Sequence, residues 1–222
     1  MRLDYWAAML TARGLTRLLC KIDDQPLRSI PMQGPLILVC NHINAIELAV
    51  VFPRLHPREF TGFAKSETWD NPILGPLFDI WDIIPIQRGQ PDITALRQGL
   101  KALEDGKILA ITPEGTRSGD GRLKRGNPGV ATLALHSGAP LLPLVYYGNE
   151  QFYGNLRQLR RTDFRIRVGQ PFRIETPGRL TADIRRQITD EIMYQMAMLL
   201  PQQNRGYYQD LRAASAEFVR LI

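Results

Sequence analysis

His42 and Glu47 are the two residues of this sequence whose types and spacing suit acid–base chemistry. A carboxylate that accepts a hydrogen bond from one imidazole nitrogen orients the ring and leaves the other nitrogen available as a base. The pair follows the apolar run Leu36–Cys40, which is typical of a buried strand, and precedes residues 48–52, which can continue a helix. Five residues of helix turn through about 500°, so the side chains can meet only if His42 lies in the turn before the helix. The alternative is a buried structural histidine, and the pair by itself favours neither.

Basic and flexible residues follow three further apolar runs. Lys65, Arg88 and the segment 112–118 each come directly after a run that predicts a strand. Within that segment, Gly115 lets the backbone approach a ligand closely, and the guanidinium of Arg117 can fork onto phosphate oxygens. The same loop continues with three more basic residues, Arg122, Lys124 and Arg125. A single loop arginine is usually solvated. Here, however, all these groups follow strands, so they would lie with His42 at the carboxyl ends of the strands, where ligands bind in an α/β sheet.

The elements that must position these residues alternate between strand and helix patterns, which predicts an α/β fold with a mixed, mostly parallel sheet flanked by helices. We expect an N-terminal helical segment at 1–30, the main domain at 31–200 and a helical tail at 201–222. Alternating arginines in the last predicted strand indicate a sheet edge. Strands are predicted at 36–40, 60–64, 83–86, 107–112, 141–147 and 164–168, and helices at 43–55, 71–78, 91–104, 128–137, 181–200 and 207–222.

The composition is that of a globular protein with an anionic partner. Lys and Arg total 28 against 22 Asp and Glu, giving a net charge of +6 over 222 residues, which favours nucleic acid, acidic lipid or a phosphorylated substrate. The two cysteines, Cys20 and Cys40, show neither disulfide nor metal-ligand spacing, so we expect a reducing compartment. Cys40 is interpreted as a small buried residue rather than a nucleophile, and no metal site is predicted.

The N-terminal segment has the pattern of a basic amphipathic helix. If the helix runs from Tyr5 to Ile22, Arg13, Arg17 and Lys21 recur every four residues along it as a basic stripe, and apolar side chains surround them. Such a helix can lie in the plane of an anionic membrane, or it can pack on its own domain with a solvated charged face. Early charges argue against a signal peptide, and the polar residues around His42 argue against a transmembrane span at 34–52.

Taken in order, the motifs resemble a known family. Asn41-His42 with Glu47 is followed by Lys65, by Pro85-Ile86-Gln87-Arg88, by Pro113-Glu114-Gly115-Thr116-Arg117-Ser118 and by Leu142-Pro143-Leu144. This order over residues 31–148 resembles the 1-acylglycerol-3-phosphate acyltransferases, a glycerolipid acyltransferase family with four sequence blocks. The family usually has Asp where this chain has Glu47.

The resemblance implies an acyltransferase that moves a fatty acyl group from a thioester of coenzyme A or acyl carrier protein to a lysophospholipid hydroxyl. The favoured acceptor is 1-acylglycerol-3-phosphate, giving phosphatidate. The resemblance assigns His42 as general base and Glu47 as the acid that orients it, and it places residues 142–144 along an acyl groove. No cofactor is implied beyond the thioester co-substrate. The substrate-binding residues it implies are Lys65, Arg88, Glu114, Gly115, Thr116 and Arg117.

A protein of this kind is expected to be cytoplasmic and peripheral on the cytoplasmic face of a membrane that contains anionic lipid. A non-catalytic lipid-binding protein on the same fold is the alternative, since Glu47 departs from the family pattern. A nucleic-acid-binding protein is disfavoured, because no helix-turn-helix, RNA-recognition or zinc signature is present and the aromatic residues are not interleaved with the basic ones.

Overall fold

The structure is a computed structural model that describes residues 3–87, 92–176, 178 and 180–222. The strands in this part of the chain are β1 Cys20–Asp23, β2 Leu36–Cys40, β3 Phe60–Lys65, β4 Ile84–Ile86, β5 Ile108–Ile111, β6 Leu141–Tyr147, β7 Thr162–Val168, β8 Phe172–Ile174 and β9 Val219–Leu221. The α-helices are α1 Leu3–Leu19, α2 Ile46–Leu55, α3 Leu74–Ile80, α4 Ile93–Glu104, α5 Gly129–Ser137, α6 Phe152–Arg157 and α7 Ala182–Leu199.

All of these strands join one sheet in the order β1-β7-β6-β2-β5-β3-β4, with β8 and β9 added beside β6. The run β6-β2-β5-β3-β4 is parallel throughout, whereas β7 and β8 pair antiparallel with β6. The predicted α/β class with a mixed, mostly parallel sheet is therefore confirmed. Because β2, β5 and β3 are parallel neighbours, their carboxyl ends meet at one edge of the sheet, and this edge carries His42, Lys65 and Thr112.

Helices cover both faces of the sheet, which is why the central strand β2 is apolar on both sides. Its alternate residues Ile37 and Val39 belong to the core beneath α4, α5 and α7. Leu38 and Cys40 belong to the other core, which α1, α2 and α3 close. Strand alternation thus divides a single apolar run between two cores.

Several helix termini follow from local side chains. Thr181 caps α7 by accepting a hydrogen bond from the backbone N–H of Ile184 (3.2 Å). Gly138 ends α5 in the left-handed region at φ +58°, where a glycine carries no Cβ penalty. The N-terminal helix ends at Leu19 rather than near Ile22, because Cys20–Asp23 pairs with β7 as a strand.

Two predictions about the C-terminal half are wrong. Strand β7 is not a sheet edge, since the short strand β1 pairs alongside it. The segment 207–222, predicted as a helix, forms 3-10 turns at Gly206–Tyr208 and Leu211–Ala213 followed by strand β9, which pairs with β8. The helical tail assigned to 201–222 therefore becomes part of the sheet domain.

Helix α7 holds this C-terminal segment through Glu191, whose side chain is buried. Its Oε1 accepts hydrogen bonds from the Ser215 hydroxyl (2.9 Å) and the Glu217 N–H (3.0 Å), and Oε2 accepts one from the Phe218 N–H (2.9 Å). Ser215, Glu217 and Phe218, close to the last residue of the sequence, are thus tied to the core.

No helix in the described residues is both long and apolar enough to cross a bilayer.

Candidate active site

His42 and Glu47 are in contact at the carboxyl end of β2. His42 lies in the turn between β2 and α2, and its Nδ1 is 2.6 Å from Oε2 of Glu47. Helix α2 starts at Ile46 because the Asn44 side chain accepts a hydrogen bond from the Ile46 N–H (3.0 Å), which fixes the turn before it. With Glu47 ionised, Nδ1 donates and Nε2 is the nitrogen left to act as a base; Nε2 has no hydrogen-bond partner among the described residues.

The second oxygen of Glu47 fixes the carboxylate in place. Glu47 is only 4% exposed, and its Oε1 accepts hydrogen bonds from the Asn44 N–H (2.7 Å) and from Nδ2 of Asn149 (2.9 Å). The Asn44 side chain in turn donates to the carbonyl of Asn149 (2.9 Å). The longer side chain of Glu, relative to Asp, is therefore accommodated by a closed set of hydrogen bonds.

Two of these polar residues were not identified from the sequence. Asn44 lies between His42 and Glu47, and it could have been identified because an Asn next to a helix start favours a cap-type turn. Asn149 lies beyond β6, and nothing local links it to Glu47. A third asparagine, Asn41, extends the β2–β6 pairing by bonding both backbone groups of Tyr146 (3.0 and 2.8 Å).

Glu114 ties the loop after β5 to the His42 turn. Its side chain is 4% exposed, and it accepts hydrogen bonds from the backbone N–H groups of His42 and Lys124, both at 2.9 Å. In the same loop, the Ser118 N–H donates a hydrogen bond to the His42 carbonyl (2.7 Å). Burial raises the pKa of Glu114 from 4.5 to about 7, against the two N–H bonds that lower it. Glu114 thus contacts the histidine turn, whereas the resemblance implied that it binds substrate.

A cavity of about 240 Å³ joins the charged residues to an apolar interior. His42, Glu47, Lys65 and Arg117 all line it, so the predicted convergence of these four residues is observed. Lys65 also forms an ion pair with Glu67 (2.8 Å). The remaining wall is mostly apolar and includes Leu48, Phe52, Leu77, Phe78, Trp81 and Ile83.

Small residues keep the floor of this cavity open. Gly62, Ala64 and Ala110 line it, and a Cβ added to Gly62 would lie 3.0 Å from the Ala110 carbonyl oxygen. A side chain at position 62 would therefore press against the backbone of β5 beside the cavity. A narrow, apolar cavity with charged groups at one end suits an alkyl chain that carries a polar head.

The other predicted site residues lie elsewhere or outside the description. Gly115 adopts φ +66° and lines a second cavity of about 480 Å³ against α4 and α5, which shares Phe63 and Thr112 with the first. Thr116 is exposed, between Gly115 and Arg117. Arg88 falls outside the described residues. Cys40 is buried, as predicted, and burial raises the pKa of its thiol to about 12, which makes it a poor nucleophile.

Residues 142–144 were expected along an acyl groove, but they lie in the middle of strand β6. Leu142 and Leu144 are buried in the core beneath α1 and α2, and neither lines either of the two cavities. Strand β6 is next to β2 on the side away from β5 and β3, and Tyr146, near the carboxyl end of β6, does line the first cavity. These two cavities therefore give no support to an acyl groove along residues 142–144, which stays a prediction.

Comparison with known proteins identifies the family of this chain. The sequence profile of the family described as Acyltransferase matches residues 21–147, which is more than half of the chain and includes the His42 turn, Lys65 and the Arg117 loop. The chain belongs to the acyltransferase family. Over 121 residues it is 29% identical to the 1-acyl-sn-glycerol-3-phosphate acyltransferase of Bacillus subtilis, covering 54% of this chain and 59% of that protein.

Other relatives of this acyltransferase-family chain carry the same name. The 1-acyl-sn-glycerol-3-phosphate acyltransferase of Limnanthes alba is 33% identical over 134 residues, which cover 59% of this chain and 45% of that protein. The chain thus spans about half the length of the curated relatives it matches. The crystal structure of the 1-acyl-sn-glycerophosphate acyltransferase of Thermotoga maritima superposes with a TM-score of 0.58 at 18% identity, covering 85% of this chain and 76% of that one, and it shares the fold.

Proposed function

We propose that this protein transfers a fatty acyl group from an acyl thioester to the hydroxyl of a lysophospholipid, with 1-acylglycerol-3-phosphate as acceptor and phosphatidate as product. The observation that carries the proposal is the 2.6 Å contact between His42 Nδ1 and Glu47 in a cavity that Arg117 also lines. The names of the relatives support the choice of acceptor.

His42 acts as general base and then as general acid. Its Nε2 takes the proton of the acceptor hydroxyl as that oxygen attacks the thioester carbonyl carbon, forming the new C–O bond and a tetrahedral oxyanion. The intermediate collapses with cleavage of the C–S bond, and the leaving thiolate takes the proton back from the imidazolium to give the free thiol. Glu47 orients the ring and stabilises the imidazolium between these two steps.

Charged groups around the cavity stabilise two anions, the phosphate of the acceptor and the tetrahedral oxyanion. Arg117, whose backbone carbonyl accepts a hydrogen bond from Nζ of Lys124 (2.7 Å), binds the acceptor phosphate through its guanidinium. Lys65 faces the same cavity and supplies positive charge for the oxyanion. The acyl chain occupies the apolar part of the cavity over Gly62, Ala64 and Ala110.

The acceptor resides in a bilayer, so the protein docks on the membrane surface. Helix α1 presents exposed leucines, Leu10 and Leu18, beside the basic residues Arg13 and Arg17. The loop with Arg122, Lys124 and Arg125 adds exposed charge near the cavity. Acidic lipid then strengthens binding and high salt weakens it.

Free-thiol release from acyl-CoA and from acyl carrier protein thioesters, measured with several lysolipids and with mass spectrometry of the products, tests the proposal. His42→Ala should abolish acceptor-dependent thiol release while keeping the fold. Equal release by wild type and His42→Ala, or release that does not need an acceptor, would contradict acyl transfer by this histidine.

The role of Arg117 has its own test. Because its guanidinium is proposed to bind phosphate, Arg117→Ala should raise the KM for 1-acylglycerol-3-phosphate by on the order of tenfold and leave kcat within a few fold. A monoacylglycerol acceptor, which has no phosphate, is the control. An equal loss on both acceptors would show that Arg117 acts on something other than the phosphate.

A further inference from the structure

A cleft at the far end of α2 carries a concentration of positive charge that the acyl-transfer site does not use. It lies between α1, the 3-10 turn Gln25–Ser29 and the end of α2, and it has a volume of about 280 Å³. Arg54, in the last turn of α2, lies about 10 Å along the helix axis from Glu47. The cleft shares no lining residue with the His42 cavity. Its charged residues are five arginines and one acid, Arg13, Arg17, Arg28, Arg54, Arg58 and Asp24.

Arg54, which lines this cleft, has a hydrogen-bond donor without a partner among the described residues. Its side chain is 2% exposed, and its Nε donates to Oδ2 of Asp24 (3.1 Å) while Nη1 donates to the Thr16 hydroxyl (3.1 Å) and the Val50 carbonyl (2.7 Å). Nη2 is buried and has no partner among the described residues. Buried N–H groups are almost always paired in folded proteins, so this one indicates a missing acceptor.

The charges in the cleft are also out of balance. Asp24 is the carboxylate that contacts Arg54, and it lies 4.0 Å from Arg17 as well. Arg58 is buried too, and within the described part of the chain its guanidinium donates only to the backbone carbonyls of Pro31, Gly34 and Gly106. Burial lowers the pKa of Arg54, and the nearby charges of Arg13 and Arg17 act in the same direction. Buried guanidinium groups with too little negative charge around them are stabilised by a bound anion.

The surroundings of the cleft favour a phosphate that belongs to a lipid. Arg17 and Arg28 stand exposed at its rim, and Met32, which lines it, is 57% exposed. On α1, Leu10 and Leu18 are 63% and 69% exposed beside the arginines. Basic residues mixed with exposed apolar side chains on one helix are the pattern of a surface that lies at the bilayer interface.

We propose that this arginine cleft holds the phosphate of an anionic phospholipid head group, with Nη2 of Arg54 as a donor to it, and so forms a second lipid contact separate from the acceptor site. The proposal rests on the membrane docking proposed above but not on acyl transfer. The guanidinium forks of the rim arginines suit phosphate oxygens, and Met32 and the leucines of α1 lie toward the acyl chains.

Binding is measured on full-length protein carrying His42→Ala, which keeps the cleft and removes turnover. The probes are phosphatidylcholine vesicles with and without phosphatidylglycerol, monomeric dihexanoyl-phosphatidylglycerol, and inorganic phosphate alone. Arg17→Gln combined with Arg28→Gln should weaken binding to the anionic vesicles by on the order of tenfold and remove the thermal stabilisation that the short-chain lipid gives. Arg54→Lys, which keeps the charge but loses the fork, should reduce that stabilisation, and the two exposed arginines keep the test valid if Arg54→Lys fails to fold.

Two controls separate the cleft from general charge. Arg165→Gln combined with Arg97→Gln removes the same charge from exposed positions outside the cleft and should leave binding within about twofold. Arg117→Gln removes a positive charge from the proposed acceptor site, and the same binding measurements then show how much of the lipid binding depends on that site. The proposal is overturned if both pairs weaken binding equally, if only Arg117→Gln abolishes the lipid response, or if inorganic phosphate stabilises the protein as well as the lipid does. Failure of acyl transfer would show instead in the thiol-release assay, which these measurements do not use.

Discussion

At the scale of single residues, the choice of Glu at position 47 decides how the histidine is held. Both carboxylate oxygens are engaged, Oε2 by Nδ1 of His42 and Oε1 by Asn44 and Asn149. An acid that is hydrogen-bonded on every side cannot rotate away from the imidazole without leaving buried donors unpaired. The extra methylene of Glu, relative to Asp, is thus compatible with a fixed geometry.

Substitutions of Glu47 test this arrangement. Glu47→Gln should lower kcat by about two to four orders of magnitude, because a neutral amide neither stabilises the imidazolium nor fixes the tautomer. Glu47→Asp should keep part of the activity, since a displacement of about 1 Å costs on the order of a hundredfold. Steady-state kinetics measure both, with circular dichroism to check folding. If neither change affects kcat, Glu47 plays no part in the reaction.

The buried carboxyl of Glu114 makes stability depend on pH. Its pKa is raised from 4.5 to about 7 by burial, so its contribution to stability is complete below pH 4.5 and is lost as the pH rises through 7. Glu114→Gln cannot ionise. The free energy of unfolding of wild type relative to Glu114→Gln should therefore fall by on the order of 3 kcal/mol between pH 4.5 and 8.

Chemical denaturation across that pH range measures the difference. Glu104→Gln, which removes an exposed carboxylate from the end of α4, controls for the loss of one charge. A difference between wild type and Glu114→Gln that stays constant with pH would mean that folding does not raise the pKa of Glu114.

At the scale of elements, the long apolar runs were predictable and the short pairing segments were not. Leu36–Cys40 and Leu141–Tyr147 carry enough apolar residues to predict buried strands, and the order of the motifs predicted that His42, Lys65 and Arg117 converge. Strands β1 and β9 have only four and three residues, and they form because β7 and β8 offer partners far away in sequence. The contact of Asn149 with Glu47 joins residues 102 positions apart, which no local pattern encodes.

Helix α7 should lose its hold on the C-terminal segment when Glu191 is removed. Glu191→Ala leaves the Ser215 hydroxyl and the N–H groups of Glu217 and Phe218 without their acceptor, so the free energy of unfolding should fall by about 3 kcal/mol. Hydrogen exchange of the Phe218 amide should accelerate more than that of β2. Glu175→Ala, which removes an exposed carboxylate 3.8 Å from Arg220, is the matched control and should cost less than about 1 kcal/mol. Equal exchange at Phe218 in wild type and Glu191→Ala would show that β9 is held by the sheet alone.

At the scale of the whole molecule, helix α2 links two sites of different chemistry. Its first turn carries Glu47 against His42, and its last turn carries Arg54 in the arginine cleft. Helix α1 packs across α2, and Trp6 contacts the ring of His56 at a centroid distance of 4.3 Å. The surface that we propose to meet the membrane and Glu47, which contacts the proposed general base His42, are therefore carried by the same packed pair of helices, α1 and α2.

This arrangement predicts that the apolar face of α1 matters only when the acceptor is in a bilayer. Leu10→Gln combined with Leu18→Gln removes two exposed leucines without touching the core, so the initial rate with vesicle-embedded 1-acylglycerol-3-phosphate should fall by on the order of tenfold. The rate with a monomeric short-chain acceptor should stay within about twofold, because that substrate reaches His42 without docking. Leu159→Gln, at a leucine that is 94% exposed in the turn after α6, is the control and should change neither rate. An equal fall on both acceptors would place the effect of α1 on the fold of the α1–α2 pair, and no fall on either would assign membrane contact to another surface.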